Sequence, residues 1–344
     1  MTTITTMTTM TTSSPGNDAV ASHSTSSQSQ AASSFLVEDI RTGFAQQPRR
    51  LSPLVLYDAL GSALFDAICR LPWYRITRSE TGLLHTHAAD MIDSWPSPLR
   101  LIELGPGNGE KGEYLVRALW ERDQAARVEL VDISGAALTS AGARLSGWSG
   151  VDVHAHEASY IPGLENAAAG ASAKERLLVL FLGSNLGNFD SRDAARFLAD
   201  VRTHLRPGDG LLLGVDLVKS EQELILAYDD PLGVTAAFNK NILVRMNREL
   251  DADFDLEAFS HRAIWNEREG RVEMHLVSER DQTVSIPGAE VEATFAPGDF
   301  IWTESSYKFT PEGLDDLLAS TGFQRERSWS DAEAGFMNAL CIAT

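Results

Sequence analysis

Only two cysteines, Cys69 and Cys341, occur in 344 residues. A disulfide framework is therefore excluded as the source of stability, and a reducing compartment, the cytoplasm, is the expected location. Basic residues are also scarce: 29 Lys and Arg stand against 48 Asp and Glu, a formal net charge of −19. Nucleic acid and anionic membrane surfaces are recognised by basic patches, so neither is an expected partner. No apolar run approaches the roughly 18 residues that a membrane-spanning helix needs. Residues 1–34 contain no Lys or Arg and no apolar stretch, so neither a signal nor a transit peptide is expected there. Their Thr, Ser and Gln bias offers little apolar surface to offset ordering entropy, and a disordered tail is expected over 1–34.

One further absence narrows the cofactor. Residues 99–109 read LRLIELGPGNG, an apolar strand ending in Glu103 and a turn with alternating glycines, Gly105, Gly107 and Gly109. A helix-like segment, EKGEYLVRALW, follows. Strand, glycine turn and helix make the nucleotide-binding unit of a doubly wound sheet. A dinucleotide fingerprint needs its third glycine at 110, where this chain has Glu110. The spacing acid-x-G-x-G-x-G suits S-adenosylmethionine instead, which brings no pyrophosphate to the helix N-terminus. Glu103 can take the cationic end of that ligand, and Lys111 follows the loop. Asp132 ends the next expected strand, where a carboxylate reaches ribose hydroxyls or caps the following helix.

The hydrophobic content, 43%, is ample for a sizeable core. Strands are expected at 100–104, 127–131, 151–155, 177–182 and 211–216, with helices near 111–122, 135–146 and 191–204. This alternation implies parallel pairing with right-handed crossovers, and the runs LLVLFLG and LLLGVD suit strands buried on both faces. Upstream, 51–72 reads as a helix with Leu60, Leu64, Phe65 and Ile68 on one face. A second helix is expected to run to about Trp95, capped by Thr77 or Ser79. After Lys219 the pattern changes to a helix broken near Pro231 and Gly233, then alternating hairpins, then the strand IWTESSYKFT. A stretch from 220 to 308 is too long for a loop and reads as an inserted unit over the carboxyl edge of the sheet, where such folds bind ligands. The expected fold is therefore α/β, with a Rossmann-like sheet flanked by helices on both faces plus an inserted α+β part.

Two constellations remain. FLGSNLGNFD, 181–190, ends a buried strand and places Asn185 and Asn188 at the mouth of the sheet, unless it is a plain Gly/Asn turn. Tyr228 lies in AYDDPLGVTAAFN, and Glu304, Ser306 and Lys308 alternate on one strand and share a side. A carboxylate and a hydroxyl so spaced can grip both nitrogens of a small heterocycle; an exposed edge strand would show the same alternation.

Together, LIELGPGNGEKGEYLVRAL, FLGSNLGNF, GVDLVKS, AYDDPLGVTAAFNKNILVRMNREL and TESSYKF resemble the histidine Nα-methyltransferases of ergothioneine biosynthesis, from about Leu51 to the C-terminus. The resemblance implies a methyltransferase that trimethylates L-histidine to hercynine with S-adenosylmethionine, releasing S-adenosylhomocysteine. It implies a substrate-binding part formed by 35–80 with 220–308, and a cofactor-binding part formed by 81–219 with 309–344. Asn188 and Tyr228 would hold the substrate carboxylate. Tyr57 and Tyr74 would line the amine side as the catalytic tyrosines. Glu304 and Ser306 would bind the imidazole, with Met274 packed against it. Ser159 stands where relatives carry an acid that contacts the adenine, and Glu157 is the nearby substitute. No metal site is expected, and a monomer is expected. The competing expectations are the same chemistry on another aromatic amino acid such as tryptophan, a nicotinamide oxidoreductase, and a non-catalytic protein that keeps the cofactor fold.

Overall fold

The computed structural model describes residues 34–344 except 94 and 96. The tail expected over 1–34 lies outside them but for Ser34, which opens a helix over 34–44. The strands in chain order are β1 (Arg49–Arg50), β2 (Leu99–Leu104), β3 (Ala126–Asp132), β4 (Val151–Glu157), β5 (Arg176–Phe181) and β6 (Gly210–Asp216). They continue with β7 (Phe259–Asn266), β8 (Arg271–Ser278), β9 (Gln282–Ile286), β10 (Val291–Phe295), β11 (Phe300–Tyr307), β12 (Phe323–Asp331) and β13 (Phe336–Ala343).

Seven of them form the large sheet, in the order β12-β13-β6-β5-β2-β3-β4. Strands β6, β5, β2, β3 and β4 are parallel, whereas β13 runs antiparallel to both β6 and β12. Helices between the parallel strands make the architecture Rossmann-like, as expected. Side chains of the central strands alternate between two apolar layers: Leu101, Leu178, Leu180 and Leu212 point into one, and Ile102, Val179, Phe181 and Leu213 into the other. Burial on both faces explains why β5 and β6 read as nearly unbroken apolar runs. The edges differ: β4 exposes Asp152 and β12 exposes Glu326 and Arg327, charges that discourage edge-to-edge pairing.

The smaller sheet has the order β1-β11-β8-β7, and β9 pairs with β10. Helices Glu221–Tyr228 and Val234–Glu249 are separated at Pro231–Gly233, as the sequence indicated. Both pack on the small sheet. Its far end is tied to the large sheet, because the Phe309 N–H donates to the Asp216 carbonyl and the Val218 N–H to the Phe309 carbonyl. One face of the small sheet thus stands over the carboxyl ends of β5 and β6.

Three local expectations change. The segment 51–72 divides into a 3₁₀ turn, Pro53–Leu56, and a helix, Ala59–Ile68. Leu60 in that helix is exposed while Ile68 is buried, so the apolar face excludes Leu60. The next helix spans Ile76–Ile92, so neither Thr77 nor Ser79 caps it; Ser79 is buried and its hydroxyl donates to Asp331 Oδ2 at 2.9 Å.

Candidate active site

The glycine turn after β2 has the conformation its spacing implied. Gly105, Gly107 and Gly109 have φ of 73°, 57° and 75°, the left-handed region that side chains other than glycine avoid. A Cβ on Gly109 would lie 2.9 Å from Ala141 Cα, so the chain approaches the neighbouring helix closely there. Glu103 sits under the following helix, and a Cβ at Gly112 would fall 2.2 Å from Glu103 Oε2. The carboxyl is 2% exposed, and Oε2 has no hydrogen-bond partner. Burial pushes its pKa up to about 8, against the pull of Lys111 and with repulsion from Glu80. A buried, unpartnered acid beside a glycine cradle fits a cationic ligand.

Asp132 lies at the end of β3, where Oδ1 accepts the Ser134 N–H at 2.9 Å. Burial raises its pKa. The Tyr160 hydroxyl stands opposite: it lies 3.3 Å from where a Gly105 Cβ would be, and burial with Asp132 nearby pushes it up to about 12. Ser159 is exposed at the N-cap of the helix Tyr160–Ala168 and makes no side-chain cap bond. Glu157 reaches toward Gly135, its Oε2 3.1 Å from a Cβ placed there.

Lys111, expected to bind the cofactor, is paired with a buried acid of another helix. Its ammonium pairs with Glu80 Oε2 at 2.5 Å. Glu80 is fully buried and also accepts the Gly183 N–H with both oxygens, at 3.0 and 2.8 Å. Gly183 and Ser184 both have positive φ, 83° and 60°, so two left-handed residues in succession turn the chain out of β5. Such backbone persists only where its surroundings over-determine it. Here Glu80 holds the first residue, and the Ser184 hydroxyl accepts the Asp216 N–H at 3.0 Å. The turn delivers the 3₁₀ segment Asn185–Asn188 to the mouth of the sheet.

Asn188 faces a cavity between that turn and the small sheet, with Tyr228, Met274, Glu304 and Ser306. Tyr57 and Tyr74 line the same cavity. All seven substrate-side candidates therefore converge. A bulge in β11 makes this possible. Register shifts between Trp302 and Glu304, leaving Thr303 as the extra residue, so Trp302 pairs with His275 whereas Glu304 pairs with Met274. Trp302 then stacks with Arg271 on the far face, and Glu304 and Ser306 share the cavity face with Met274. The alternative of an exposed edge strand is excluded, because Glu304, Ser306 and Lys308 are all buried.

Burial pushes Glu304 up to about 7, and Lys308 moderates the rise. The Tyr228 hydroxyl donates to Ser306 Oγ at 2.7 Å. Tyr57, Phe65, Tyr74 and Tyr228 form a chain of edge-to-face rings with centroids 5.5 to 6.2 Å apart. Desolvation, with Glu304 nearby, raises the pKa of both the Tyr57 and the Tyr74 hydroxyl; Tyr74 is buried whereas Tyr57 keeps 37% of its surface exposed, and as neutral phenols neither is a phenolate base at neutral pH.

The family described as histidine-specific, S-adenosylmethionine-dependent methyltransferases matches residues 36–343. The chain belongs to that family. A histidine N-alpha-methyltransferase of Mycolicibacterium smegmatis is 40% identical over 91% of this chain and 96% of its own length. Its counterpart in Mycobacterium tuberculosis is 40% identical over 87% and 92%. Ergothioneine biosynthesis protein 1 of Neurospora crassa is 29% identical over 82% of this chain, which spans 32% of that longer protein. This histidine-specific methyltransferase therefore uses S-adenosylmethionine, and the glycine cradle with Glu103 fits that molecule. Among the described residues no helix is long and apolar enough to cross a membrane, and no group of three or more His, Cys, Asp or Glu could hold a metal ion.

Sequence reasoning missed several supporting residues. Glu80 and Tyr160 are two; Asn239 and His261 are others. Asn239 Nδ2 donates to His261 Nδ1 at 2.9 Å, and His261 Nε2 then donates to the Tyr228 carbonyl at 2.8 Å. Thr303, the bulged residue, donates to Asn239 Oδ1 at 2.6 Å.

Proposed function

We propose that this methyltransferase places three methyl groups in succession on the α-amine of L-histidine, giving hercynine, with 35–80 and 220–308 holding histidine and 81–219 and 309–344 holding the methyl donor. Convergence of Asn188, Tyr228, Glu304 and Ser306 on one cavity, whose lining residue Asn185 lies 3.6 Å from where a Gly105 Cβ would be, carries this reading. S-adenosylmethionine supplies an electrophilic methyl group. The protein's part is to bring a neutral amine in line with it.

Asn188 binds the substrate carboxylate through its amide donor, and Tyr228 joins it by turning its one hydrogen from Ser306 to the ligand while Ser306 donates to Tyr228 in exchange. Glu304 and Ser306 take the two imidazole nitrogens, and Met274 packs against the ring. Fixing both ends of histidine leaves the amine one orientation, and positioning of this kind lowers a barrier without a strong base. An amine next to a cation also loses its proton more readily. Tyr57 and Tyr74, being neutral, relay that proton or face the growing ammonium, a cation–π attraction of about 0.5–2 kcal/mol. On the donor side, Glu103 receives the cationic end of the cofactor, Asp132 the ribose hydroxyls, and Gly105, Gly107 and Gly109 let the backbone approach. Lys111 acts through Glu80 and the Gly183 turn. Ser159, though exposed, stays beside the adenine end with Glu157.

Mass spectrometry of a reaction with histidine and S-adenosylmethionine tests this directly. A product heavier by three methyl groups is expected. Methylation of tryptophan in preference to histidine would overturn the substrate assignment.

A second outcome follows from Glu103. With its pKa near 8, it is mostly protonated at neutral pH, and a cation bound beside it favours the ionised form. Cofactor binding should therefore release a proton, and affinity should rise with pH up to about 8. Calorimetry in buffers of different ionisation enthalpy reads the release. Glu103→Gln should abolish it; persistence of the release in that variant would place the titrating group elsewhere.

A further inference from the structure

Lys308 follows β11 and its side chain is 0% exposed. It does not line the substrate cavity. An ammonium has three N–H donors and no acceptor. Here Lys308 Nζ lies 2.8 Å from the Tyr228 hydroxyl, 2.7 Å from Ser306 Oγ and 3.0 Å from Asp216 Oδ2. Each N–H is thus given to a protein acceptor, and none remains for a ligand. Asp216 Oδ1 is itself taken by Lys219 at 2.6 Å, so one carboxylate answers two ammoniums. The excess positive charge sits against the two hydroxyls.

Those hydroxyls have a restricted repertoire. Tyr228 and Ser306 each give a lone pair to Lys308, and one hydroxyl hydrogen bridges the 2.7 Å between them. Of two hydroxyl hydrogens, one is left. The pair therefore offers a ligand a single O–H donor, from a fixed place.

We propose that Lys308 is a positioning residue for the amino-acid substrate: it aligns Tyr228 and Ser306 and commits the pair to one donor. This rests on the reading that Tyr228 and Ser306 hold histidine. Lys308 also acts on Glu304 across the same strand. The other titratable groups facing Glu304 are Tyr57, Tyr74 and Tyr228, all neutral, so Lys308 is the cation that favours its ionised form. Removing the ammonium should loosen the hydroxyl pair and move the ionisation of Glu304 to higher pH.

The test compares Lys308→Met, Lys308→Gln, Ser306→Ala, Tyr228→Phe and the Lys308→Met/Ser306→Ala double variant. For Lys308→Met, the histidine KM should rise about tenfold or more, with S-adenosylhomocysteine affinity within about twofold of wild type. The acid limb of its kcat/KM profile should shift to higher pH. Lys308→Gln, which keeps neutral donors, should recover part of the KM but not the pH shift; it also carries the test if the Met variant does not fold. In the Ser306→Ala background, Lys308→Met should cost less than in wild type, because part of what it aligns is already gone. Additive costs, an unshifted pH limb, or equal loss of product affinity would reduce Lys308 to a structural residue. If Ser306→Ala and Tyr228→Phe both leave the histidine KM unchanged, the site reading fails first.

Discussion

Replacing Glu304 with alanine should lower kcat/KM for histidine by about a hundredfold or more while cofactor affinity stays within about twofold. A hydrogen bond to a charged acceptor contributes roughly 1.5–3 kcal/mol, a factor of about 10 to 150. Stranding the partner N–H in a buried site adds to that loss. Cofactor binding is spared because Glu304 faces the small-sheet side of the cavity, whereas Glu103 and the glycine cradle lie on the other sheet. The pH dependence gives a second signature. Glu304 is held at about 7, so its accepting carboxylate accumulates as pH rises through that value. Wild-type kcat/KM should therefore climb through about pH 7, and Glu304→Gln should lose that limb. The separate limb for deprotonation of the substrate amine should survive in both enzymes. Steady-state kinetics across pH, with calorimetry for cofactor binding, checks all three statements. Turnover of histidine by Glu304→Ala near the wild-type rate would mean that the ring is read by other groups.

What the sequence made legible follows from how each feature is encoded. Strands β5 and β6 were readable because burial on both faces leaves unbroken apolar runs, and β2, β3 and β4 because apolar residues recur along each of them between helical stretches. The cofactor turn was readable because left-handed backbone demands glycine at fixed spacing. Glu304 and Ser306 were found by alternation, but alternation alone would have put Trp302 with them. The bulge at Thr303 separates it, and nothing local announces a bulge. Met274, Tyr57 and Tyr74 look like core residues, and only likeness to a family singled them out. Glu80 and Asn239 were illegible for another reason. Each is a polar residue on a helix whose partner lies far along the chain: Glu80 meets Gly183 and Asn338, and Asn239 meets Thr303. Ser79 shows the same limit, since a hydroxyl near a helix start reads as a cap until its partner Asp331 arrives from β12.

Glu80→Ala should be the most disruptive single change outside the two ligand sites, weakening the affinity for both ligands together. Its carboxylate is fully buried and satisfies three groups at once: the Gly183 N–H, the Lys111 ammonium and Asn338 Nδ2. Removing it strands a buried donor and leaves Lys111 unpaired, a destabilisation of roughly 2–4 kcal/mol, discounted for the partial exposure of Lys111. The left-handed pair Gly183–Ser184 loses its anchor, and with it the placement of Asn188. Lys111, once released, is free to pair with Glu103, whose pKa should then fall because a repelling acid is gone and a cation remains. The proton released on cofactor binding should accordingly shrink. Thermal melting, both ligand affinities and proton release measure the three effects on one variant. Gly214 gives an independent route to the same result: a Cβ there would stand 1.8 Å from Glu80 Oε1, so Gly214→Ala must push the carboxylate aside with no change in charge. If Gly214→Ala reproduces the loss of histidine affinity, the position of the Glu80 carboxylate, rather than its charge alone, holds the turn. Unchanged melting and affinities in both variants would show that the turn needs no such support.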